Sequence, residues 1–283
     1  MKRLKVIFAV LGCQLLATIK GSAYLLDSGC GKSDRTESYL KIGGGEDASI
    51  FANPWMASVM VLGNHACGGS LITSRFVLTA AHCISNYSMM VRLGEYKVIE
   101  PNPDCSTGVC IPKAYTEYVD KKIVHSKFDY YNQLYDIALL RMASAVQYSD
   151  YVRPICLIVK APMENVLQFN ATGWGLRENG RMSRTLQKAT LHKTENHHCS
   201  QKYTKFIDHT HICTGSLTSQ TCVGDSGGPL SADVFYQGEL RPLLYGVVSY
   251  GSKKCSTTGF DVHTKVDQYT DWIESALSYN WSI

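Results

Sequence analysis

The sequence predicts an all-β protein, a barrel or sandwich that ends in one docked helix. Two patterns point there. Short apolar runs alternate with turn residues at 55–62, 69–79, 89–93, 137–142 and 243–250, which is the rhythm of closed antiparallel sheets. Helical spacing is confined to 269–277, where Tyr269, Trp272, Ile273, Ala276 and Leu277 fall on one face. With 283 residues, 45% of them hydrophobic and 18% charged, the chain can bury a substantial core, and all-β folds of this size form single domains. There is no internal repeat and no low-complexity tract.

From the N-terminus, Lys2, Arg3, Lys5 and Lys20 flank an apolar stretch, 6–19, too short for a bilayer-spanning helix of about 20 residues. With Gly21 and Ala23 following, residues 1–23 read as a signal peptide cleaved after Ala23. Those four cations account for the whole formal charge of +4. The remainder is neutral, which argues against a nucleic-acid partner or polybasic membrane attachment. The expected product is secreted and extracellular. Residues 24–41 are polar, lack apolar periodicity and read as a tether and propeptide; residues 42–283 form the main domain.

Eleven cysteines suit an oxidising compartment. Without Cys13, which leaves with the signal peptide, ten remain, and counting alone does not pair them. The spacing is not that of a zinc site, since CxxC is absent. No metal or other cofactor is expected from it.

Three local signatures follow in order: Leu78-Thr79-Ala80-Ala81-His82-Cys83, Tyr135-Asp136-Ile137-Ala138-Leu139-Leu140, and Cys222-Val223-Gly224-Asp225-Ser226-Gly227-Gly228-Pro229-Leu230. A serine hydroxyl attacks an amide only if a base within hydrogen-bond reach takes its proton, and imidazole, with an ordinary pKa near 6.5, can take and return it. On these motifs the chain resembles the chymotrypsin-like (trypsin-like) serine proteases from Ile42 to about residue 280. The resemblance implies two six-stranded antiparallel β-barrels and peptide-bond hydrolysis. It makes His82, Asp136 and Ser226 the catalytic triad, with the Gly224 and Ser226 N–H groups as the oxyanion hole.

Lys41-Ile42-Gly43-Gly44-Gly45 resembles the family's activation site. Cleavage after Lys41 would free an ammonium on Ile42 to pair with Asp225, and Gly43 replaces the usual branched apolar second residue. The resemblance also implies five disulfides: Cys67 with Cys83, Cys199 with Cys213, Cys222 with Cys255, Cys30 with Cys156, and Cys105 with Cys110. The short Cys105 loop and the Cys30-Gly31 linker look similar to secreted arthropod proteases of the haemolymph cascade type, with no clip domain expected before Cys30. Protein substrates, an upstream activating protease and serpin-type inhibitors are the implied partners. A catalytically silent homologue acting as a binding partner is the alternative, and the intact triad opposes it.

In the specificity pocket the family's floor carboxylate is replaced by Gln220, followed by Thr221. Asp261 stands where relatives carry a small wall glycine. It either favours basic side chains from the wall, fills the pocket, or points to solvent. Ser249, Tyr250 and Gly251 match the strand that pairs with substrate backbone. Glu95 matches the first carboxylate of a calcium loop found in some relatives, with the remaining ligands obscured by the 101–105 insertion. His192, His197 and His198 read as a solvated loop. Asn86, Asn170 and Asn280 head glycosylation sequons, Asn170 being the less accessible because it abuts a strand.

Overall fold

Branched and aromatic residues between 56 and 142 fold six strands into a closed antiparallel barrel: Met56–Val61, Asn64–Thr73, Phe76–Thr79, Met89–Leu93, Tyr115–Val124 and Ala138–Met142. The first hairpin turns in two residues, Leu62 (φ 51°) and Gly63 (φ 82°). Positive φ at both positions matches the twist of the flanking strands. The run expected over 69–79 divides into two strands at the turn of Ser74 and Arg75, which folds it back on itself. Trp55, Leu71, Ile72, Phe76 and Leu139 pack the interior.

The computed structural model describes residues 23–32, 46–98, 103–106, 108–111, 114–177, 179–216, 221–252 and 259–281. Most of the expected signal peptide, together with Lys41, Ile42, Gln220 and Cys255, lies outside those residues. The second barrel consists of Gln168–Gly173, Gln187–Thr194, His211–Ser216, Pro229–Tyr236, Glu239–Tyr250 and Gly259–Lys265, closed by pairing of its first two strands, with Glu46–Asp47 added at Gln187–Thr194. Phe169, Leu191, Leu230 and Leu243 lie in its core.

The C-terminal helix, Thr270–Asn280, buries Ile273 and Leu277 in the first barrel's core. A second, short helix, Asn196–Tyr203, carries Cys199 of the Cys199–Cys213 disulfide. It buries only Cys199 and so has no apolar face for periodicity to reveal. The tether reading needs correction over 24–31. Tyr24–Leu25 pairs with Ile158–Val159, Tyr148 donates to Asp27 Oδ2 at 2.5 Å, and Arg241 donates to the Cys30 carbonyl at 2.8 Å. Two-residue strands are too short to leave a periodic signal. Disulfides join Cys30 to Cys156, Cys67 to Cys83, Cys105 to Cys110 and Cys199 to Cys213. Cys222 is also disulfide-bonded, to a partner beyond the described residues.

Candidate active site

Each barrel contributes one half of the site. The first-barrel strand Phe76–Thr79 runs into a tight turn, Ala81–Cys83, that presents His82. Its Nδ1 lies 2.7 Å from Asp136 Oδ2, and its backbone N–H donates to Oδ1 at 2.9 Å. Because a carboxylate only accepts, Nδ1 carries the proton and Nε2 is left as the acceptor. Asp136 has no solvent exposure. Ser249 Oγ donates to its Oδ2 at 2.5 Å, while Thr264 Oγ1 holds its backbone carbonyl at 2.9 Å. Burial pushes its acidity down, but the His82 and Ser249 hydrogen bonds and the charge of His82 outweigh that, and the carboxyl sits below its ordinary pKa.

The second barrel supplies the loop that carries Ser226. Gly227 (φ 79°) turns it so tightly against the first barrel that a Cβ there would overlap Thr79 Oγ1. The Gly68 N–H donates to the Ser226 carbonyl at 2.8 Å, fastening the loop to the strand that carries Cys67, whose disulfide reaches Cys83 beside His82. Ser226 Oγ makes no hydrogen bond to His82 among the described residues, a common state before substrate binds. Neither the Gly224 nor the Ser226 N–H has an acceptor among the described residues, as donors kept for an oxyanion require.

Two residues the sequence reading did not single out brace this loop. His65 Nε2 donates to the Gly224 carbonyl at 3.2 Å, and Ser58 Oγ bonds the other ring nitrogen at 2.8 Å. Burial holds the His65 pKa below its ordinary value, so the ring is neutral, donating from Nε2 and accepting at Nδ1. Their signal was faint, since seven residues separate them and only the hairpin brings them together.

Asp225 points away from Ser226 into the protein. Its oxygens accept from the Gly175 N–H and the Cys222 N–H, both at 2.8 Å, and a Cβ at Gly173 or Gly175 would collide with its carboxylate. Among the described residues it faces no cation. Burial raises its pKa to about 6 even against the two backbone hydrogen bonds.

Asp261 is 1% exposed, which corrects the solvent-facing alternative. Residues 261–264 of the strand Gly259–Lys265 are buried on both of its faces. The Thr221 N–H donates to Asp261 Oδ2 at 2.9 Å, whereas Oδ1 has no hydrogen-bond partner among the described residues. Oδ1 packs against the Cα of Gly251, where any Cβ would overlap it. Burial raises this carboxyl to about 7, with the Asp225 charge adding to the effect and the Thr221 hydrogen bonds opposing it.

A family model described as Trypsin matches residues 42–273. The chain belongs to the trypsin family. This trypsin-family protein is a serine-type endopeptidase. It is 32% identical over 259 residues to Serine protease grass of Drosophila melanogaster, covering 85% of this chain and 68% of that protein. It is 36% identical over 262 residues to Melanization protease 1 of the same fly, covering 83% and 65%. With Proclotting enzyme of Tachypleus tridentatus it shares 35% over 266 residues, covering 86% and 68%. The crystal structure of the Drosophila Grass clip serine protease of the Toll pathway aligns with a TM-score of 0.77 at 31% identity, covering 89% of this chain and 75% of that one. The chain thus spans about two thirds of the length of these curated relatives.

Where the sequence offers Glu95 as a calcium ligand, its Oε2 lies 2.6 Å from Arg92 Nε. Asp104, whose charge acts on Glu95, uses Oδ2 to accept from the Tyr96 and Lys97 N–H groups at 2.9 and 3.0 Å, while its Oδ1 has no partner among the described residues. His197 and His198 stack with ring centroids 4.0 Å apart. They form no metal-ligand cluster with His192; the one group of such ligands among the described residues, Cys67, His82 and Cys83, includes a disulfide.

Of the sequon residues, Asn86 is exposed. Asn170 is half-buried within a strand paired on both sides. Asn280 must be withdrawn as a glycan site: it is 4% exposed, with its amide nitrogen donating to the Ala276 carbonyl at 2.5 Å. Its motif marks a helix end packed on Arg141, which donates to the Asn280 carbonyl at 2.9 Å. No helix among the described residues is long and apolar enough to cross a membrane.

Proposed function

We propose that the protein is secreted as a zymogen, is cut after Lys41, and then hydrolyses peptide bonds in other proteins through Ser226, His82 and Asp136. The observation that carries this reading is the 2.7 Å His82–Asp136 contact, together with two N–H donors, of Gly224 and Ser226, that have no acceptor among the described residues. Ser226 Oγ attacks the scissile carbonyl as His82 Nε2 takes its proton. Negative charge gathers on the carbonyl oxygen, where the Gly224 and Ser226 N–H groups meet it. The imidazolium then protonates the leaving amine, and water repeats the sequence on the acyl-enzyme to release the acid and restore Ser226. Asp136 stays ionised throughout, fixing the tautomer and stabilising the imidazolium.

The zymogen part rests on Asp225. A largely desolvated carboxylate with two N–H donors and, among the described residues, no cation is costly, and an ammonium freed at Ile42 would neutralise it while locking the loop that holds Ser226. After cleavage, the segment through Cys30 stays joined to the catalytic chain by the disulfide to Cys156. The relatives' names, Proclotting enzyme and Melanization protease 1 among them, support a substrate that is itself a protein cut at a limited number of bonds, and an activating protease upstream.

A fluorophosphonate probe tests the reading directly. It should label wild type at Ser226 only after cleavage at Lys41 by a trypsin-like protease, and Lys41→Gln should remain unlabelled. Equal labelling before and after cleavage would remove the zymogen step; no labelling after cleavage would remove the triad.

A further inference from the structure

We propose that Met182 is an oxidation site through which a hydroperoxide lowers the activity of this protein, because the sulfoxide formed there disturbs the Gly224 N–H donor beside Ser226. This rests on the endopeptidase reading above, which uses that donor.

Met182 belongs to the connection between the strands Gln168–Gly173 and Gln187–Thr194. That connection turns back on itself, with Leu176 and Met182 paired across it and the Arg177 N–H donating to the Arg181 carbonyl at 2.9 Å. Two contacts fasten its base to the loop that carries Ser226. The Leu176 N–H donates to the Val223 carbonyl at 2.8 Å, and the Gly175 N–H donates to Asp225 Oδ1 at 2.8 Å. Pairing with Leu176 therefore brings Met182 to Gly224, the residue between those two acceptors. A Cβ at Gly224 would stand 2.6 Å from the Met182 methyl carbon, 3.0 Å from the Gly175 Cα and 3.4 Å from the Met182 sulfur. The thioether thus fills the space that a side chain at 224 would take.

Met182 is also open to a dissolved oxidant, being 42% exposed. Of the other methionines among the described residues, Met56, Met89 and Met142 are at most 2% exposed, and Met60, Met90 and Met163 are half-buried. Every described cysteine is disulfide-bonded, so no thiol among them competes for the oxidant. A thioether keeps its nucleophilic lone pair at any pH, whereas a thiol must first ionise.

The step is an oxygen transfer from hydrogen peroxide or another hydroperoxide. The sulfur lone pair attacks one peroxide oxygen, the O–O bond breaks and an S–O bond forms. With hydrogen peroxide the other oxygen leaves as water, carrying both hydrogens. Sulfur is oxidised by two electrons and the peroxide is reduced by two. A flexible apolar side chain becomes polar and chiral, and it gains an oxygen that accepts hydrogen bonds.

That oxygen has two places to go, and both act on the same donor. The Gly224 N–H has no acceptor among the described residues, and it belongs to the residue that the thioether covers. A sulfoxide oxygen that turns to this N–H takes it from the oxyanion. One that turns to water draws the side chain off Gly224, whose backbone, at φ 99°, then loses the contact that confines it, and a glycine has the widest choice of other angles. Either way a preorganised donor is lost or loosened. Because that donor meets charge that develops only in the transition state, the loss falls on kcat and leaves substrate binding in place.

The test treats the full chain, cleaved at Lys41, with dilute hydrogen peroxide and follows the peptide containing residue 182 by mass spectrometry. Gain of one oxygen at Met182 should precede gain at any other methionine. It should track a fall in kcat of about 10- to 100-fold, short of the full loss of an oxyanion donor, with KM within about threefold. Methionine sulfoxide reductases acting on both epimers should restore kcat, with unoxidised enzyme carried through the same mixture as the reference. Met182→Leu, close in volume and without sulfur, is compared only with itself before and after peroxide, and should lose less than about twofold. On cleaved Ser226→Ala, the Kd of an uncleaved fluorescent peptide should stay within about threefold through the treatment. An equal loss in Met182→Leu, an unchanged kcat in oxidised wild type, or a loss that appears in the peptide Kd instead of kcat overturns the proposal. Absent fluorophosphonate labelling before peroxide would remove the endopeptidase reading and this site with it, whereas labelling that is as fast after peroxide as before would remove the oxidation site alone.

Discussion

Asp136 and Asp261 are equally shut away from water, at 0% and 1% exposure, yet they are opposite kinds of group. Asp136 is surrounded by donors from His82 and Ser249 and sits below its ordinary pKa. Asp261 holds the Thr221 N–H and keeps Oδ1 unpartnered among the described residues, and its pKa is raised to about 7. Asp225 lies between them, with two backbone donors, no cation among the described residues and a pKa of about 6. Desolvation is the largest influence on all three, so what separates them is the supply of hydrogen bonds and charge. A satisfied buried carboxylate is a fixed part of the machinery, while an unsatisfied one such as Asp225 is a socket awaiting a cation.

The sharpest way to break this comparison is to remove the charge of the satisfied member. Asp136→Asn should lower kcat by about 10³- to 10⁴-fold, since an amide facing Nδ1 selects the wrong tautomer. Ser249→Ala, which removes one donor while leaving His82 in place, should cost only about tenfold. Steady-state rates on one peptide substrate decide it. Similar losses in the two variants would mean that Asp136 acts through its position rather than its charge.

Asp225 gives the next largest effect, in a form that separates activity from stability. After cleavage at Lys41, Asp225→Asn should lose at least about 100-fold in activity, comparable to losing an oxyanion donor, because the amide offers the new ammonium no charge. In the uncleaved chain the same variant should help. The native pKa of about 6 lies above the ordinary 3.8, so the native state binds more protons than the unfolded one between about pH 4 and pH 6, and stability falls as pH rises through that window. Asp225→Asn should remove that fall. Wild type should therefore lose Tm between pH 4.5 and pH 7 by more than the variant does, by at most about 3 kcal/mol in stability. Parallel pH–Tm curves would show that Asp225 is not a strained carboxylate in the zymogen.

How legible these roles were in sequence follows the same division. The His82, Asp136 and Ser226 signatures are local strings, and each falls on a turn or strand end that a short sequence window can reveal. The barrels show in strand periodicity, although the boundary at Ser74 and the edge strands at Tyr24 and Glu46 leave too few residues to register. Asp261 was legible as a position but not as a state, because its strand is buried on both faces over 261–264 and its hydrogen bonds come from Thr221, 40 residues away. His65 and Ser58 remained silent because their purpose depends on Gly224, more than 150 residues away. The sequon at Asn280 misled because a three-residue motif carries no information about burial.

A buried carboxylate that already owns its cation should respond least to added metal, and Glu95 provides that case. Its pKa is raised to about 7 by burial and by the Asp104 charge, with Arg92 opposing; the pair stands at 2.6 Å with Arg92 23% exposed and Glu95 1%. Arg92→Leu should destabilise by about 1–3 kcal/mol, less than a fully buried pair because solvent reaches the guanidinium, and adding Glu95→Gln should recover most of it. Calcium provides the finest discrimination. To reach Glu95 it must displace Arg92, and Asp104 offers it only Oδ1, the oxygen left without a partner among the described residues, so wild-type Tm should shift by less than about 1 °C between EDTA and about 5 mM calcium, a concentration above the Kd of even weak extracellular sites. In Arg92→Leu the two carboxylates are left without a cation, and calcium should raise Tm by several degrees, since a ligand that binds only the native state at 100 times its Kd adds about 2.7 kcal/mol. A wild-type shift as large as the variant's would show that the ion pair gives way to calcium, and that Glu95 is another socket like Asp225.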